Sequence, residues 1–143
     1  MSIVQFYFLF PALFMLHELE EIVWMPSFIK KISPQYPNNQ ILSYYTPFAF
    51  NTIVLEQFLI LITSLYLSYQ FNNYSIYAST IIAYIYHVLG HLIQTIVIRK
   101  YVPGLLTGIL TSLFTLCNIK NEFPIILYGY SCLLYTSDAA DDK

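Results

Sequence analysis

Apolar residues run along this chain in blocks far longer than the buried stripe of a surface helix needs. Short stretches rich in Asn, Gln, Pro and paired basic residues separate them. Crossing roughly 30 Å of hydrocarbon takes about 20 helical residues. Blocks near that length predict helical spans over residues 3–25, 46–69 and 74–98, a fourth over 103–117 and the start of a fifth over 124–131. Pro26 is expected to end the first span, ahead of a polar connector that holds Lys30, Lys31 and the run Ser33-Pro34-Gln35-Tyr36-Pro37-Asn38-Asn39. Pro47 suits the first turn of the second helix. Gln70-Phe71-Asn72-Asn73 predicts a turn, Arg99-Lys100 closes the third span, and Pro103-Gly104 opens the fourth. The expected fold is all-α: a polytopic membrane helix bundle with four transmembrane helices plus the start of a truncated fifth, forming one domain over residues 1–131.

Composition agrees with that pattern. Of 143 residues, 57% are hydrophobic and 18% aromatic, and only 10% are charged, against about 25% in a soluble domain. This excludes an ordinary water-soluble enzyme and a disordered chain. Nucleic-acid binding is excluded too, since 6 basic residues cannot line a phosphate-binding stripe.

The end of the chain differs in character. Residues 132–141, Cys-Leu-Leu-Tyr-Thr-Ser-Asp-Ala-Ala-Asp, resemble a translated sequencing adapter, so 132–143 is expected to be a non-native tail on a shortened protein. Setting aside Asp138, Asp141, Asp142 and Lys143 lowers the acids from 8 to 5 and the bases from 6 to 5. The remainder is formally neutral. Cys132 goes with the tail, which leaves Cys117 alone and excludes a disulfide framework. The first residues lack the basic stretch and cleavage site of a signal peptide, so the first block reads as a permanent helix.

Basic residues in short loops favour the cytoplasmic side. Lys30, Lys31, Arg99 and Lys100 fall in the first and third connections, which a serpentine path puts on one side. The expectation is an N-terminus outside, with loops 26–45 and 99–102 in the cytoplasm and Lys120 as the exception. Trp24, Tyr44, Tyr45, Tyr69, Tyr74 and Tyr101 near the span ends suit an aromatic belt.

Ionisable side chains cost at least ~2.5 kcal/mol each near the middle of a bilayer, so those inside the spans call for an explanation. The first span holds His17, Glu18, Glu20 and Glu21, the second Asn51, Glu56 and Gln57, and the third His87, His91 and Gln94. His17, Glu20 and Glu21 stand at i, i+3 and i+4 on one helical face, and His87 and His91 at i and i+4 on another. At ~1.5 Å per residue, Glu20 and Glu21 lie roughly 15 Å from Lys30, His91 roughly 12 Å from Arg99 and Glu56 roughly 15 Å from Thr46. These depths coincide, and Thr107 and Thr111 reach the same level.

Imidazole and carboxylate donors without a thiolate suit Zn²⁺, or iron or manganese. A divalent ion would also let carboxylates stay ionised in a low-dielectric layer. A lone helical histidine is more often packed than ligating. Glu18 reads as a flanking charge near the interface and Gln57 as an interhelical hydrogen bond. The combination carries more weight, because polar groups at one depth on three helices would stand unpaired in lipid if nothing joined them. His17-Glu18 opens like a zinc-protease helix, but Glu21 replaces the second histidine of H-E-x-x-H.

His17-Glu18-Leu19-Glu20-Glu21 matches the motif that names the HXXEE family of small bacterial membrane proteins, and the chain resembles that family in a second place. His87-Val88-Leu89-Gly90-His91-Leu92-Ile93-Gln94, followed by Arg99-Lys100-Tyr101-Val102-Pro103-Gly104 and Thr107, is similar to the family's histidine helix and its basic Tyr-x-Pro-Gly turn. The resemblance runs from about Ile3 to Leu116. It implies a multi-span fold in a bacterial inner membrane with a metal site, and no particular substrate. His17, Glu20, Glu21, His87 and His91 are its candidate ligands, and Glu56 is added on depth alone. The leading expectation is an intramembrane metal-dependent enzyme, a hydrolase or oxidase acting on a lipid or other hydrophobic substrate in the bilayer. Whichever of Glu20 and Glu21 is not a ligand would be the general base, and the Tyr101 to Gly104 turn would only start the fourth helix. The alternatives are a metal-free proton-coupled transporter or relay, and a structural partner of another membrane protein. Oligomeric state is not legible.

Overall fold

The computed structural model describes residues 1–37 and 44–119. Four helices make up the described chain: α1 (Ile3–Ile32), α2 (Pro47–Gln70), α3 (Ser75–Ile98) and α4 (Leu105–Ile119), with a short 3₁₀ turn, Ser33–Gln35, after α1. The fold is a helical bundle, and no strand occurs among the described residues.

Helix starts follow from local chemistry. Ser2 and Gln5 form a capping box on α1: the Gln5 N–H donates to Ser2 Oγ at 3.3 Å, and the Ser2 N–H donates to Gln5 Oε1 at 2.9 Å. Thr46 caps α2 by accepting from the Ala49 N–H at 3.1 Å, with Pro47 at the first helical position. Arg99, at φ +55°, stops α3 in the left-handed conformation.

One boundary departs from expectation. Pro26 does not end α1, which continues through both Pro11 and Pro26 to Ile32. Proline removes one backbone donor and crowds the preceding turn. A long helix packed by neighbours can absorb that loss. The expected span over 124–131 lies outside the described residues.

α1, α2 and α3 are each long and apolar enough to cross a membrane. The described part of α4, 15 residues, covers about 22 Å. Large apolar side chains cover the outer faces, among them Leu59, Ile93 and Val97. Such a surface suits hydrocarbon rather than water. Several outward hydroxyls bond back to their own helices, as Thr52 to the Phe48 carbonyl and Ser79 to the Ser75 carbonyl do, which lowers the polarity they present outward.

The four helices form a closed ring: α1 packs on α2 and α4, and α3 on α2 and α4. α1 and α3 therefore face each other across the middle. They run in parallel, since Tyr7 meets Tyr77, Phe10 and Phe14 meet Tyr84, and His17 meets His87 in register. Lys100 Nζ donates to Gln35 Oε1 at 3.0 Å, which puts both basic connections at one end of the bundle. The opposite half is filled by Phe6, Phe10, Phe14, Leu61, Leu65, Tyr77 and Ile81. Lipid is as apolar as leucine, so close packing of these rings, rather than escape from water, joins the helices there.

A candidate metal centre between the first and third helices

The polar layer begins one turn beyond Phe14. His17 and Glu21 on α1 face His87 and His91 on α3, and one donor atom from each lies within 4.8 Å of the others. Glu21 Oε1 is the hub: it stands 2.7 Å from His91 Nε2, 3.1 Å from His17 Nε2 and 3.5 Å from His87 Nε2. The two Nε2 atoms of His87 and His91 are 2.9 Å apart. His17, Glu21 and His91 are buried, whereas the His87 side chain is 43% exposed.

His17 Nδ1 lies 3.0 Å from the Gly104 carbonyl, which can only accept, so Nδ1 carries a proton, and in the neutral ring Nε2 keeps its lone pair. That lone pair points toward the Glu21 carboxylate, itself an acceptor. Both atoms are buried without a hydrogen-bond partner. A proton on one nitrogen could relieve one such contact; a single cation among the four atoms relieves all of them. Bonds of ~2.0–2.1 Å around a four-coordinate ion put neighbouring donors about 3.3 Å apart. The separations of 2.7–3.5 Å from Glu21 Oε1 to the three Nε2 atoms bracket that value. The donors thus suit a small divalent ion, with the Gly104 carbonyl orienting the first imidazole as outer partners of metal-bound histidines do.

Glu20 is turned elsewhere. Its carboxylate accepts from the Tyr101 hydroxyl, from the Thr107 hydroxyl and, at 3.0 Å, from the Thr107 N–H. Thr107 lies in the first turn of α4, and the residue ahead of that helix is Gly104, which has no side chain to cap it. Glu20 reaches across from α1 and caps α4 instead, with a negative charge at the positive end of the helix dipole. The Leu106 N–H donates to the Tyr101 hydroxyl at 3.2 Å and completes the arrangement. Burial, and then its bond to Glu20, push the Tyr101 phenol above its ordinary pKa.

The turn before α4 therefore does more than start a helix. Gly104 sits at φ +88°, and a Cβ there would stand 2.5 Å from Glu21 Oε1 and 2.8 Å from His17 Cε1. A Cβ on Gly108 would lie 3.1 Å from His17 Nδ1. The two glycines, spaced as G-x-x-x-G, let α4 close on α1. Thr111 bonds the Tyr84 hydroxyl, and Tyr84 meets His17 edge-on with ring centroids 5.4 Å apart.

Of the residues expected at the site, the structure brings His17, Glu21, His87 and His91 together. It does not bring Glu20 or Glu56. Glu56 stands exposed on another face of α2, in a groove it lines with Thr52, Leu59 and Thr63. Gln57 borders a crevice that reaches His87, and Gln94 is exposed. Glu18 corrects an expectation outright: it is 2% exposed, with Oε1 buried and unpartnered, not a flanking charge. Tyr45 was missed. Its hydroxyl is buried without a partner, and burial and the Glu21 charge hold its phenol above the ordinary pKa. The spacing Gly104-x-x-x-Gly108 was the available sign of the α1–α4 contact; nothing in the sequence pointed to Tyr45.

No curated relative and no solved structure matches the chain. A family model does: the one described as protein of unknown function with HXXEE motif covers residues 8–118, which hold all four clustered side chains and the Gly104 turn. On that match, the chain belongs to the HXXEE-motif family.

Proposed function

We propose that this protein is a membrane-embedded, metal-dependent enzyme acting on a lipid or other hydrophobic substrate, with His17, Glu21, His87 and His91 holding one divalent ion. The observation that carries the reading is the convergence of four acceptor atoms, most of them buried, on one point in a bilayer-spanning bundle. A cation there offsets the carboxylate charge where lipid would otherwise oppose it. The donor set suits zinc, iron or manganese.

Bound there, the ion would act as a Lewis acid and make bound water acidic enough to attack near neutral pH. The side chains divide the remaining work. His17 is held in its ligating tautomer by Gly104, and Glu21 bridges the histidines of both helices. Half-exposed His87 faces the approach to the site. Glu18, rather than Glu20, is the spare buried carboxyl beside the cluster, and we assign it the handling of a proton from substrate or water. Glu20 acts through structure, by fixing α4 and hence the Gly104 carbonyl. Both basic connections would face the cytoplasm in this reading.

Elemental analysis of the purified full chain tests it. Stoichiometric zinc, iron or manganese is expected, with loss in Glu21→Gln and His91→Ala. A metal-free protein whose vesicles carry pH-dependent flux resistant to chelators would replace the enzyme with a proton relay.

A further inference from the structure

A crevice of about 230 Å³ opens between α1, α2 and α3, and His87 forms one end of it. Its walls include Phe10 and Phe14 from α1, Ile60 from α2, and Ala83 and Tyr84 from α3. Gln57 and Thr80 also border it, the Thr80 hydroxyl bonded to the Ile76 carbonyl, and among the described residues the His87 imidazole is the one cluster side chain that lines it. Three of the four clustered side chains are buried, so His87 is where something outside the bundle can meet them.

Direction adds to this. Phe10 precedes His17, and Thr80 precedes His87, by two helical turns, and α1 and α3 run in parallel register. The crevice therefore extends about 10 Å from the cluster toward the N-terminal ends of both helices, away from Lys30 and Arg99. A lipid in the leaflet beside the basic connections has its head at that end and its chain pointing the same way. A slot walled mostly by apolar side chains, with Gln57 its one amide, suits hydrocarbon and would leave most polar groups of a sugar or peptide without partners.

We propose that this crevice holds the hydrocarbon chain of a membrane lipid taken from the leaflet beside the basic connections, with the lipid's polar, reacting group brought to His87 and the donor cluster. The proposal rests on the metal-site reading for its chemistry, though the slot itself can be tested separately. Ala83, one turn before His87, sets the room available, since any larger side chain there projects into the slot.

The test uses the full chain in phosphatidylcholine nanodiscs doped with a phosphatidylcholine that carries a mid-chain diazirine. After photolysis the labelled residues are mapped by mass spectrometry, and metal content is measured on the same sample. The expected result is labelling concentrated on Phe10, Phe14, Ile60 and Tyr84. In Ala83→Phe it should fall to the level of outward residues such as Ile93 and Val97, with metal content unchanged. Ile60→Trp narrows the slot from the other wall and should act alike, which covers the case in which Ala83→Phe does not fold. Labelling spread evenly over outward faces, and unchanged in both folded variants, would overturn the proposal. Crevice labelling in a chain without metal would keep the slot and remove the metal reading beneath it.

Discussion

The two halves of the bundle are built from the same pair of facing helices and differ in what holds them. In the aromatic half, Tyr7, Phe10 and Phe14 meet Tyr77 and Tyr84 through shape, and the Tyr77 hydroxyl finds the Tyr7 carbonyl at 2.8 Å. Its ring contacts need no further group, although the Ser112 and Thr115 hydroxyls of α4 are buried without partners. In the polar half, a few residues further along, His17 and Glu21 meet His87 and His91 through acceptors that face one another. On the reading proposed above, it is complete only with a cation. The proposal then expects that one half can be damaged without touching metal binding, while the other can lose the ion with the scaffold intact.

The largest separation comes from paired substitutions. Glu21→Gln removes the charge at the hub and should abolish stoichiometric metal while helical content by circular dichroism stays near wild type. Phe10→Ala should destabilise by about 3–5 kcal/mol, the usual cost of emptying a packed aromatic site, yet the folded fraction should bind metal with unchanged affinity in a competition titration. Reversal of these two outcomes would break the comparison.

Gly104→Ala replaces no donor, but its Cβ collides with Glu21 and His17 and strains a left-handed backbone. Metal should be lost nearly as fully as in Glu21→Gln. Chelation comes next. Removing metal should lower the unfolding midpoint, by about 2.7 kcal/mol of stability where the ion had been present at a hundred times its dissociation constant. The same treatment should leave the midpoint of Glu21→Gln unmoved.

The smaller effects concern the cap. Glu20→Gln weakens the start of α4 by about 0.5–2 kcal/mol and should reduce metal affinity about 10–100-fold, as expected for a group that orients a ligand without touching the ion. Tyr101→Phe is milder, since Thr107 still holds the carboxylate. The raised phenol pKa favours the neutral hydroxyl in the folded protein, so its contribution is present below the ordinary tyrosine value and is lost as pH rises through the raised one. The Tyr101→Phe deficit should accordingly fade in strongly alkaline buffer when unfolding is followed against pH.

These contrasts also explain what could be read from the chain alone. Apolar block length predicts α2 and α3 and the start of α1 closely, though not the end of α1, and i, i+4 spacing pairs His17 with Glu21 and His87 with His91, because both depend only on helix geometry. What spacing leaves open is which neighbour each face meets. Glu20 and Glu21 differ by about 100° around α1, and the side-by-side packing of α4 against α1 draws Glu20 away while Glu21 turns to α3. Glu56 matches the site in depth and misses it in azimuth. Glu18 reads as a surface charge until the ring of helices closes over it. Pro26 reads as a stop because proline rules describe isolated helices, whereas α1 is held on both sides.

X-ray absorption on the metal-loaded full chain addresses the central claim most directly, since it reports the ligands around the ion. The account predicts a first shell of nitrogen and oxygen donors near ~2.0–2.1 Å, with outer-shell scattering from about three imidazoles, reduced by about one in His87→Ala. A shell of oxygen donors alone, unchanged by that substitution, would contradict it.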